Sequence, residues 1–175
     1  MATGKLDLVV GNFGPEYENT GSLGIAIVWG NGDGTFQTDA VSLLLAGYDP
    51  ASLVAEDLDG DGRLDLAAAN VLSNSVSVLL NRGGGKFAPA VNYSTRYLPS
   101  DNYTPLPGLL TAGDFNADGR SDLALATADG IQPLMNTGGG RLHAPASIEL
   151  RNDPISAAAL DLNGDGRLDI AVEVG

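Results

Sequence analysis

Short apolar runs of four to nine residues alternate with polar stretches along most of the chain. Examples are LGIAIVW (23–29), SLVAE (52–56), LDLAAANV (64–71) and SVSVLL (75–80), with Gly, Asn or Asp near their ends. Runs of this length, rich in Val, Ile and Leu, predict β-strands, and no stretch shows the period of a helix. The pattern therefore predicts an all-β fold.

Two different polar cassettes separate these runs, and both recur. The acidic cassette occurs three times, as DLDGDGRLD (57–65), DFNADGRSD (114–122) and DLNGDGRLD (161–169). The Gly-rich cassette alternates with it, as GNGDGTF (30–36), NRGGGKF (81–87) and NTGGGRL (136–142). Because Gly adopts positive φ at little cost, the Gly-rich cassettes predict hairpin turns.

Each repeat is predicted to be a four-stranded antiparallel unit of about 47–58 residues. Such a unit cannot bury both faces of its sheet alone, so the units must stack, and radial stacking makes a β-propeller. A solenoid of stacked hairpins is the alternative. We expect one repeat domain over 1–175, with blades near 1–50, 51–107 and 108–154 and a partial blade over 155–175.

The segment GKLDLVVGN (4–12) matches GRLDLAAAN (62–70), so the first acidic cassette lacks its opening residues. We therefore expect about three blades, cut within a blade at both ends. Either further blades of a parent chain or a second copy of this chain would complete the propeller.

The acidic cassettes have the spacing of a calcium loop. Carboxylates at alternate positions of a tight loop point inward, a Gly at position 6 permits the sharp turn, and Ca²⁺ takes six to eight oxygen ligands. The predicted ligands, with the Arg in each set contributing its backbone carbonyl, are Asp57, Asp59, Asp61, Arg63 and Asp65; Asp114, Asn116, Asp118, Arg120 and Asp122; and Asp161, Asn163, Asp165, Arg167 and Asp169. Up to three Ca²⁺ ions are expected, the first loop binding tightest because it has one more carboxylate.

Other cation sites fit the cassettes less well. Mg²⁺ demands compact octahedral geometry, and transition metals call for His or Cys, which the loops lack. An EF-hand needs a Glu at position 12, where this chain has Ala68, Leu125 and Val172. We expect the ions to be structural.

Composition narrows the function classes. The formal net charge is −13, from 22 acidic and 9 basic residues, which disfavours nucleic acid as a partner. No apolar run is long enough to span a membrane, and the start MATGKLDLVVG lacks the features of a signal peptide. The chain has no Cys, which excludes disulfides, thiolate metal sites and a cysteine nucleophile.

Loops such as DLDGDGRLD, followed by LDLAAAN and a hairpin such as GNGDGTF, resemble the FG-GAP and VCBS repeats. These repeats form the blades of integrin α-subunit propellers and of many bacterial secreted proteins, and this chain is more similar to the bacterial type. The resemblance implies a β-propeller with Ca²⁺ in its hairpin loops and an extracellular or cell-surface location. The FG pair itself occurs only as Phe13–Gly14.

Few residues outside the loops suggest chemistry. His143 stands alone, and no G-x-S-x-G motif occurs, so catalysis is not expected. Trp29 is expected to pack within a blade. The run KFAPAVNY (86–93) predicts a strand after the second Gly-rich cassette. The overlapping segment 91–107 is interpreted as an inter-blade insert without strand pattern, and its Tyr93, Tyr97 and Tyr103 are candidate ligand-binding residues.

The preferred function is a non-catalytic extracellular binding or adhesion module whose partner is an unidentified protein or glycan. Two alternatives stay open. One is the propeller part of a secreted carbohydrate-active or other hydrolytic enzyme. The other is an engineered propeller fragment that self-assembles.

Overall fold

The computed structural model describes residues 5–11, 24–95, 109–127, 130–152 and 154–174. In these ranges every regular element is a β-strand, so the all-β prediction is confirmed. The strands are β1 (Leu8–Gly11), β2 (Ile25–Gly30), β3 (Phe36–Leu44), β4 (Pro50–Glu56), β5 (Asp65–Asn70), β6 (Ser75–Leu79), β7 (Asn81–Gly83), β8 (Lys86–Phe87), β9 (Val91–Ser94), β10 (Leu110–Gly113), β11 (Asp122–Thr127), β12 (Gly130–Asn136), β13 (Leu142–His143), β14 (Ile148–Glu149), β15 (Pro154–Leu160) and β16 (Asp169–Val174). None of the described segments is a helix that could cross a lipid bilayer.

Four main antiparallel sheets follow one another along the chain. The first sheet has the order β1-β2-β3, and the second has the order β4-β5-β6-β9. The third contains β10-β11-β12-β13, with β14 also paired to β12, and the fourth contains β15-β16. The small pair β7-β8 forms the Gly-rich hairpin of the second repeat. The described strands thus repeat one meander, although the blade boundaries remain predictions.

The second sheet is covered on both faces, and β5 shows how. Leu66 and Ala68 belong to the apolar cluster shared with the first sheet, whereas Ala67 and Ala69 belong to the cluster shared with the third. Because successive residues of a strand point to opposite faces, both faces of this strand are buried. All six residues of β5 are buried.

The third sheet is likewise covered by a neighbouring sheet on each face. Leu123 and Leu125 of β11 pack toward the second sheet, and Ala124 and Ala126 pack toward the fourth. A stack of antiparallel sheets joined face to face by apolar clusters is the arrangement of β-propeller blades. It also explains why these strands are continuously apolar instead of alternating.

The Gly-rich cassettes form tight hairpin turns, as predicted. Gly30 pairs with Phe36 across the first of them. In the second, Gly83, Gly84 and Gly85 have φ values of 79°, 61° and 72°, which side chains rarely adopt. These turns and the acidic loops lie at the same end of each sheet.

At the start of the segment 91–107 the strand predicted from the run KFAPAVNY (86–93) is confirmed in part, and the interpretation of these residues as an insert without strand pattern is wrong. The first four residues of the segment, Val91–Ser94, form β9, which pairs with β6 at the edge of the second sheet. Tyr93 of this strand packs against the cluster between the second and third sheets. Pairing with a buried neighbour therefore turns a polar-looking sequence into a strand.

Candidate metal centre

The first acidic loop connects β4 to β5 at the point where Glu56 and Asp65 pair. Asp57, Asp59 and Asp61 each present a carboxylate oxygen, and these atoms lie within 4.8 Å of one another. Three carboxylates at this spacing repel one another in the absence of a cation. The convergence of these three side chains, predicted from their alternate positions, is what a small hard cation requires.

Backbone hydrogen bonds hold the loop in this shape. The Asp57 carboxylate accepts N–H bonds from Gly60 (2.8 Å), Asp61 (3.1 Å) and Gly62 (2.8 Å). Gly60 and Gly62 have φ values of 81° and 82°, which aim these N–H groups inward. The loop is therefore shaped by Asp57 and its glycines.

Asp59 is the residue whose surroundings fit a cation best. Its Oδ1 is buried and has no hydrogen-bond partner among the described residues, and its Oδ2 lies 3.6 Å from Nη1 of Arg82. Burial raises the pKa of Asp59, and the neighbouring Asp65 and Asp61 carboxylates raise the pKa further. An orphaned carboxylate oxygen beside two other carboxylates matches the oxygen donor set of a hard cation such as Ca²⁺ or Mg²⁺.

Asp65 lies beneath the loop and is completely buried. Its Oδ2 accepts N–H bonds from Leu58 (3.0 Å) and Asp59 (3.2 Å), and its Oδ1 accepts one from Asn81 (2.7 Å). Asp65 thus ties the acidic loop to the start of the Gly-rich hairpin. Its Oδ2 already accepts two N–H bonds and its Oδ1 keeps one free lone pair, so the role of Asp65 as a ligand stays a prediction.

The second and third loops have the same construction. Asp114 accepts the N–H groups of Asp118 (3.1 Å) and Gly119 (2.8 Å), and Asp161 accepts those of Gly164 (2.7 Å) and Gly166 (2.9 Å). These bonds, led by the one from the glycine at position 6, lower the pKa of both aspartates. The three loops are therefore one structural motif repeated.

Position 3 distinguishes these loops from the first. The amide oxygens of Asn116 and Asn163 accept N–H bonds of 2.9 Å from Asp118 and Asp165. With Asn in place of Asp59, each of these loops brings one carboxylate fewer to its centre. The expectation that the first loop binds a cation most tightly rests on this difference.

Position 9 is occupied by Asp122 and Asp169 in these loops. Asp122 accepts the N–H groups of Phe115 (3.2 Å) and Asn136 (2.7 Å), and Asp169 accepts that of Leu162 (3.1 Å). Burial raises the pKa of Asp122. Both aspartates therefore repeat the supporting position of Asp65.

The arginines at position 7 contact the acidic loops through their side chains or through their backbone N–H groups. Arg63 forms an ion pair with Asp61 and donates its Nε–H to the Asn81 carbonyl (3.0 Å). Arg120 does the same with Asp118 and the Asn136 carbonyl (2.9 Å). In the third loop, Arg167 donates its backbone N–H to Asp165 (2.9 Å). In the first two loops the guanidinium group thus neutralises part of the charge of the carboxylate at position 5.

The repeated sequence pattern identifies the family of this chain. The profile of the FG-GAP-like repeat matches residues 2–68, 57–125 and 114–172, which together cover nearly the whole chain. The chain belongs to the FG-GAP repeat family. No curated protein matches the sequence.

Solved structures match this chain at low identity, and a lectin and a toxin among them share its fold. A lectin of Agrocybe aegerita that recognises non-reducing terminal N-acetylglucosamine matches 84% of this chain with 22% identity and a TM-score of 0.57. The Tc holotoxin pore of Photorhabdus luminescens matches 96% of it with 18% identity and a TM-score of 0.56. The biofilm matrix protein Bap1 of V. cholerae matches 96%, with 18% identity and a TM-score of 0.44. This FG-GAP chain spans 40%, 8% and 28% of those chains.

A residue that the sequence analysis missed joins neighbouring FG-GAP repeats. The buried Asn136 donates its Nδ2–H groups to the carbonyls of Leu58 (2.7 Å), in the preceding repeat, and Ser121 (3.0 Å), in its own. The N–H of Gly140 also donates to the Leu58 carbonyl (3.0 Å). The first acidic loop is thereby fixed to the Gly-rich hairpin of the next repeat.

Asn81 holds the same place in its own FG-GAP repeat, with its Nδ2 donating to the Leu64 carbonyl (2.9 Å). The signal for both residues was present in the sequence. The two cassettes NRGGG and NTGGG open with Asn, and that shared Asn marks the position.

A cavity of about 260 Å³ lies between the first and second acidic loops of this FG-GAP chain. Its lining includes the polar side chains of Glu56, Asp59, Arg120 and Ser121. The Ser121 hydroxyl donates to Glu56 Oε1 (2.9 Å) across the junction between the two repeats. Carboxylate, guanidinium and hydroxyl groups are thus brought together from two sheets.

The predicted tyrosine candidates do not form a described site. The Tyr93 hydroxyl donates to the Gly140 carbonyl (3.3 Å) at the junction between the second and third sheets. Tyr97 and Tyr103 lie outside the described residues. His143 is an exposed residue of the short strand β13 and pairs with Met135. Trp29 donates its Nε1–H to Ser42 (3.1 Å) and packs against an apolar cluster, as expected of a packing residue.

Proposed function

We propose that this chain is a Ca²⁺-stabilised segment of an extracellular or surface binding module, without catalytic activity of its own. The observation that carries the calcium proposal is the convergence of Asp57, Asp59 and Asp61 around a buried Asp59 oxygen without a partner. A hard divalent cation bound there neutralises charges that otherwise destabilise the folded loop.

Calcium suits the first loop better than magnesium. The ion would be held by the side chains of Asp57, Asp59 and Asp61, the Arg63 carbonyl and Asp65, and by the corresponding sets in the other two loops. Mg²⁺ requires near-ideal octahedral geometry and retains most of its water, whereas Ca²⁺ accepts flexible, oxygen-rich coordination. Without a bidentate Glu at position 12, we expect dissociation constants of about 10⁻⁴–10⁻³ M, the class of extracellular modules.

The ion's role is to support the surface that binds. Each acidic loop joins the first two strands of its sheet, and the first loop is also fixed to the next repeat through the Leu58 carbonyl. A bound ion therefore rigidifies the end of the stack on which the loops and Gly-rich hairpins lie. The polar cavity beside the first loop offers acceptors and donors of the kind that hold sugar hydroxyls. The shared fold with a lectin supports a glycan as the partner.

The first test is a thermal melt of the native chain in excess EGTA, in millimolar Ca²⁺ and in millimolar Mg²⁺. We expect Ca²⁺ to raise the Tm by several degrees more than Mg²⁺ does. The Asp57→Asn variant should lose part of this rise, and Asp39→Asn, which alters an exposed strand carboxylate, should keep all of it. Equal stabilisation by both ions, or none, contradicts the calcium proposal.

The binding proposal has a separate test. The Ca²⁺-loaded chain is passed over immobilised glycans, and the eluted glycan is analysed for cleavage. Retention that EGTA abolishes, without cleavage, supports a binding module. Cleavage supports the enzyme alternative, and no retention on any glycan contradicts the glycan proposal.

A further inference from the structure

One face of the first sheet is apolar and uncovered. Residues directly opposite each other on paired strands share a face, so two rows cross this sheet. The rows are Leu8–Val28–Val41 and Val10–Ala26–Leu43. The exposed fractions are 46% for Leu8, 42% for Val10, 47% for Val41 and 74% for Leu43. We call these two rows the front face.

The same strand positions are buried in the next sheet. Leu8 and Val10 of β1 correspond to Leu66 and Ala68 of β5, because GKLDLVVGN aligns with GRLDLAAAN. Leu66 and Ala68 are 3% and 0% exposed, and they pack in one cluster with Ile25 of the preceding sheet.

At the next two junctions between sheets, the residues at the equivalent positions also pack on the preceding sheet. Leu123 and Leu125 of β11 pack on the second sheet, and Ile170 and Val172 of β16 pack on the third. These positions thus contact the preceding sheet at three successive junctions, and only the front face lacks such a cover among the described residues.

The fourth sheet carries the complementary uncovered face. Ala171 and Glu173 of β16 correspond to Ala67 and Ala69 of β5, and Ala171 pairs with the exposed Ala158. At the internal junctions these positions hold Val9 at the first junction and otherwise only Gly or Ala, which leave room for the larger side chains of the next sheet. We call Ala158, Ala171 and Glu173 the back face.

We propose that the front face of one molecule packs on the back face of a second copy, head to tail. The chain carries both halves of a junction that it builds three times internally, so a second copy continues an interface already present. The contact is heterologous, because it joins two different surfaces. It does not depend on a bound cation and goes beyond the function proposed above.

Glu173 limits the strength of this contact. The corresponding residues at the second and third internal junctions, Ala69 and Ala126, are 0% and 6% exposed. A carboxylate at such a position must lose its water without a described cationic partner on the front face. Native assembly should therefore be weak, and Glu173→Ala should tighten it by roughly tenfold or more.

Sedimentation equilibrium from micromolar to millimolar chain concentration, in Ca²⁺ buffer, tests the proposal. We expect concentration-dependent association of the native chain and larger species for Glu173→Ala. Leu43→Asp should abolish association, whereas Leu72→Asp, which adds the same charge at an exposed turn residue, should leave it unchanged. Circular dichroism melts check that each variant is folded.

A mixing experiment distinguishes the head-to-tail contact from a symmetric one. Leu43→Asp disables the front face and Ala158→Asp the back face, so a mixture should restore one contact and yield a 1:1 complex. Neither variant alone should associate. Association of Ala158→Asp alone would indicate front-to-front pairing and overturn the proposal. A folded Glu173→Ala chain that stays monomeric throughout would overturn it too.

Discussion

At the scale of one residue, Asp59 is the strongest indication that the first loop binds a cation. Its raised pKa means that the folded state binds a proton at this carboxylate more tightly than the unfolded state does. Its contribution to stability is therefore complete below the ordinary value of 3.8 and is lost as the pH rises through the folded pKa. At neutral pH without a cation, ionised Asp59 destabilises the fold.

The Asp59→Asn variant is expected to have two opposite effects. In EGTA at pH 7 its Tm should rise, because a buried charge without a full set of partners is removed. Its response to Ca²⁺ should shrink, because a charged ligand is lost. Melts of both forms in EGTA and in Ca²⁺ measure the two effects. Asp33→Asn is the control, since that exposed carboxylate is satisfied by Thr35. A lower Tm in EGTA together with an unchanged response to Ca²⁺ would contradict the assignment.

Asn136 carries a bond between repeats that its counterpart Asn81 lacks in the described structure. Asn136→Ala should lower the free energy of unfolding by about 2–3 kcal/mol, because it leaves buried carbonyls with fewer donors. Asn81→Ala breaks bonds within one repeat only and should cost about 1 kcal/mol less. Urea denaturation in excess Ca²⁺ measures both losses. Equal losses would mean that the bond to the Leu58 carbonyl contributes nothing.

At the scale of the element, the three acidic loops differ at one backbone position. Gly60 and Gly164 have φ values of 81° and 77°, and the second loop has Ala117 at 59° in the same place. The Cβ of Ala117 is strained in this left-handed region. A Cβ added at Gly60 would meet no atom within 4 Å, so backbone strain alone sets its cost.

Reciprocal substitutions should therefore change stability in opposite directions. Ala117→Gly is expected to raise the free energy of unfolding by about 0.5–1 kcal/mol, and Gly60→Ala to lower it by about 1 kcal/mol. Urea denaturation in saturating Ca²⁺ measures both changes. Destabilisation by Ala117→Gly would show that the greater freedom of Gly in the unfolded chain outweighs the relieved strain.

A loop or strand could be predicted from the sequence where the contacts that stabilise it join residues close together in the chain. The acidic loops and Gly-rich hairpins were predictable because alternate aspartates and positive-φ glycines act within a few residues of one another. The strand Val91–Ser94 was predicted only as the end of the run KFAPAVNY (86–93) and was also assigned to an insert, because its stability depends on pairing with β6. The bond from Asn136 to Leu58 spans 78 residues, and the completely buried Asp65 is bonded to Asn81, 16 residues away. No local pattern encodes either of these.

At the scale of the whole molecule, charge opposes the fold. A formal net charge of −13 on 175 residues destabilises the compact state through self-repulsion, and the acidic loops concentrate that charge at one end of the sheets. Each bound divalent cation cancels two of these charges at the place where they are densest. The stack is therefore expected to depend on cations in general through screening and on calcium in particular through the loops.

Sodium chloride should separate these two dependences. In EGTA, raising NaCl from low to high ionic strength should increase the Tm by about 2–4 °C, the shift that 1 kcal/mol produces in a domain of this size. In saturating Ca²⁺ the same salt should change the Tm less, because the closest repulsions are already neutralised and salt also weakens ion binding. Melts in NaCl and in KCl, with and without Ca²⁺, measure both slopes, and agreement between the two salts excludes specific sodium binding. If the Tm rises equally with salt in the presence and absence of Ca²⁺, the repulsion lies outside the acidic loops. Stabilisation by Ca²⁺ could then not be explained by neutralisation of the loop carboxylates.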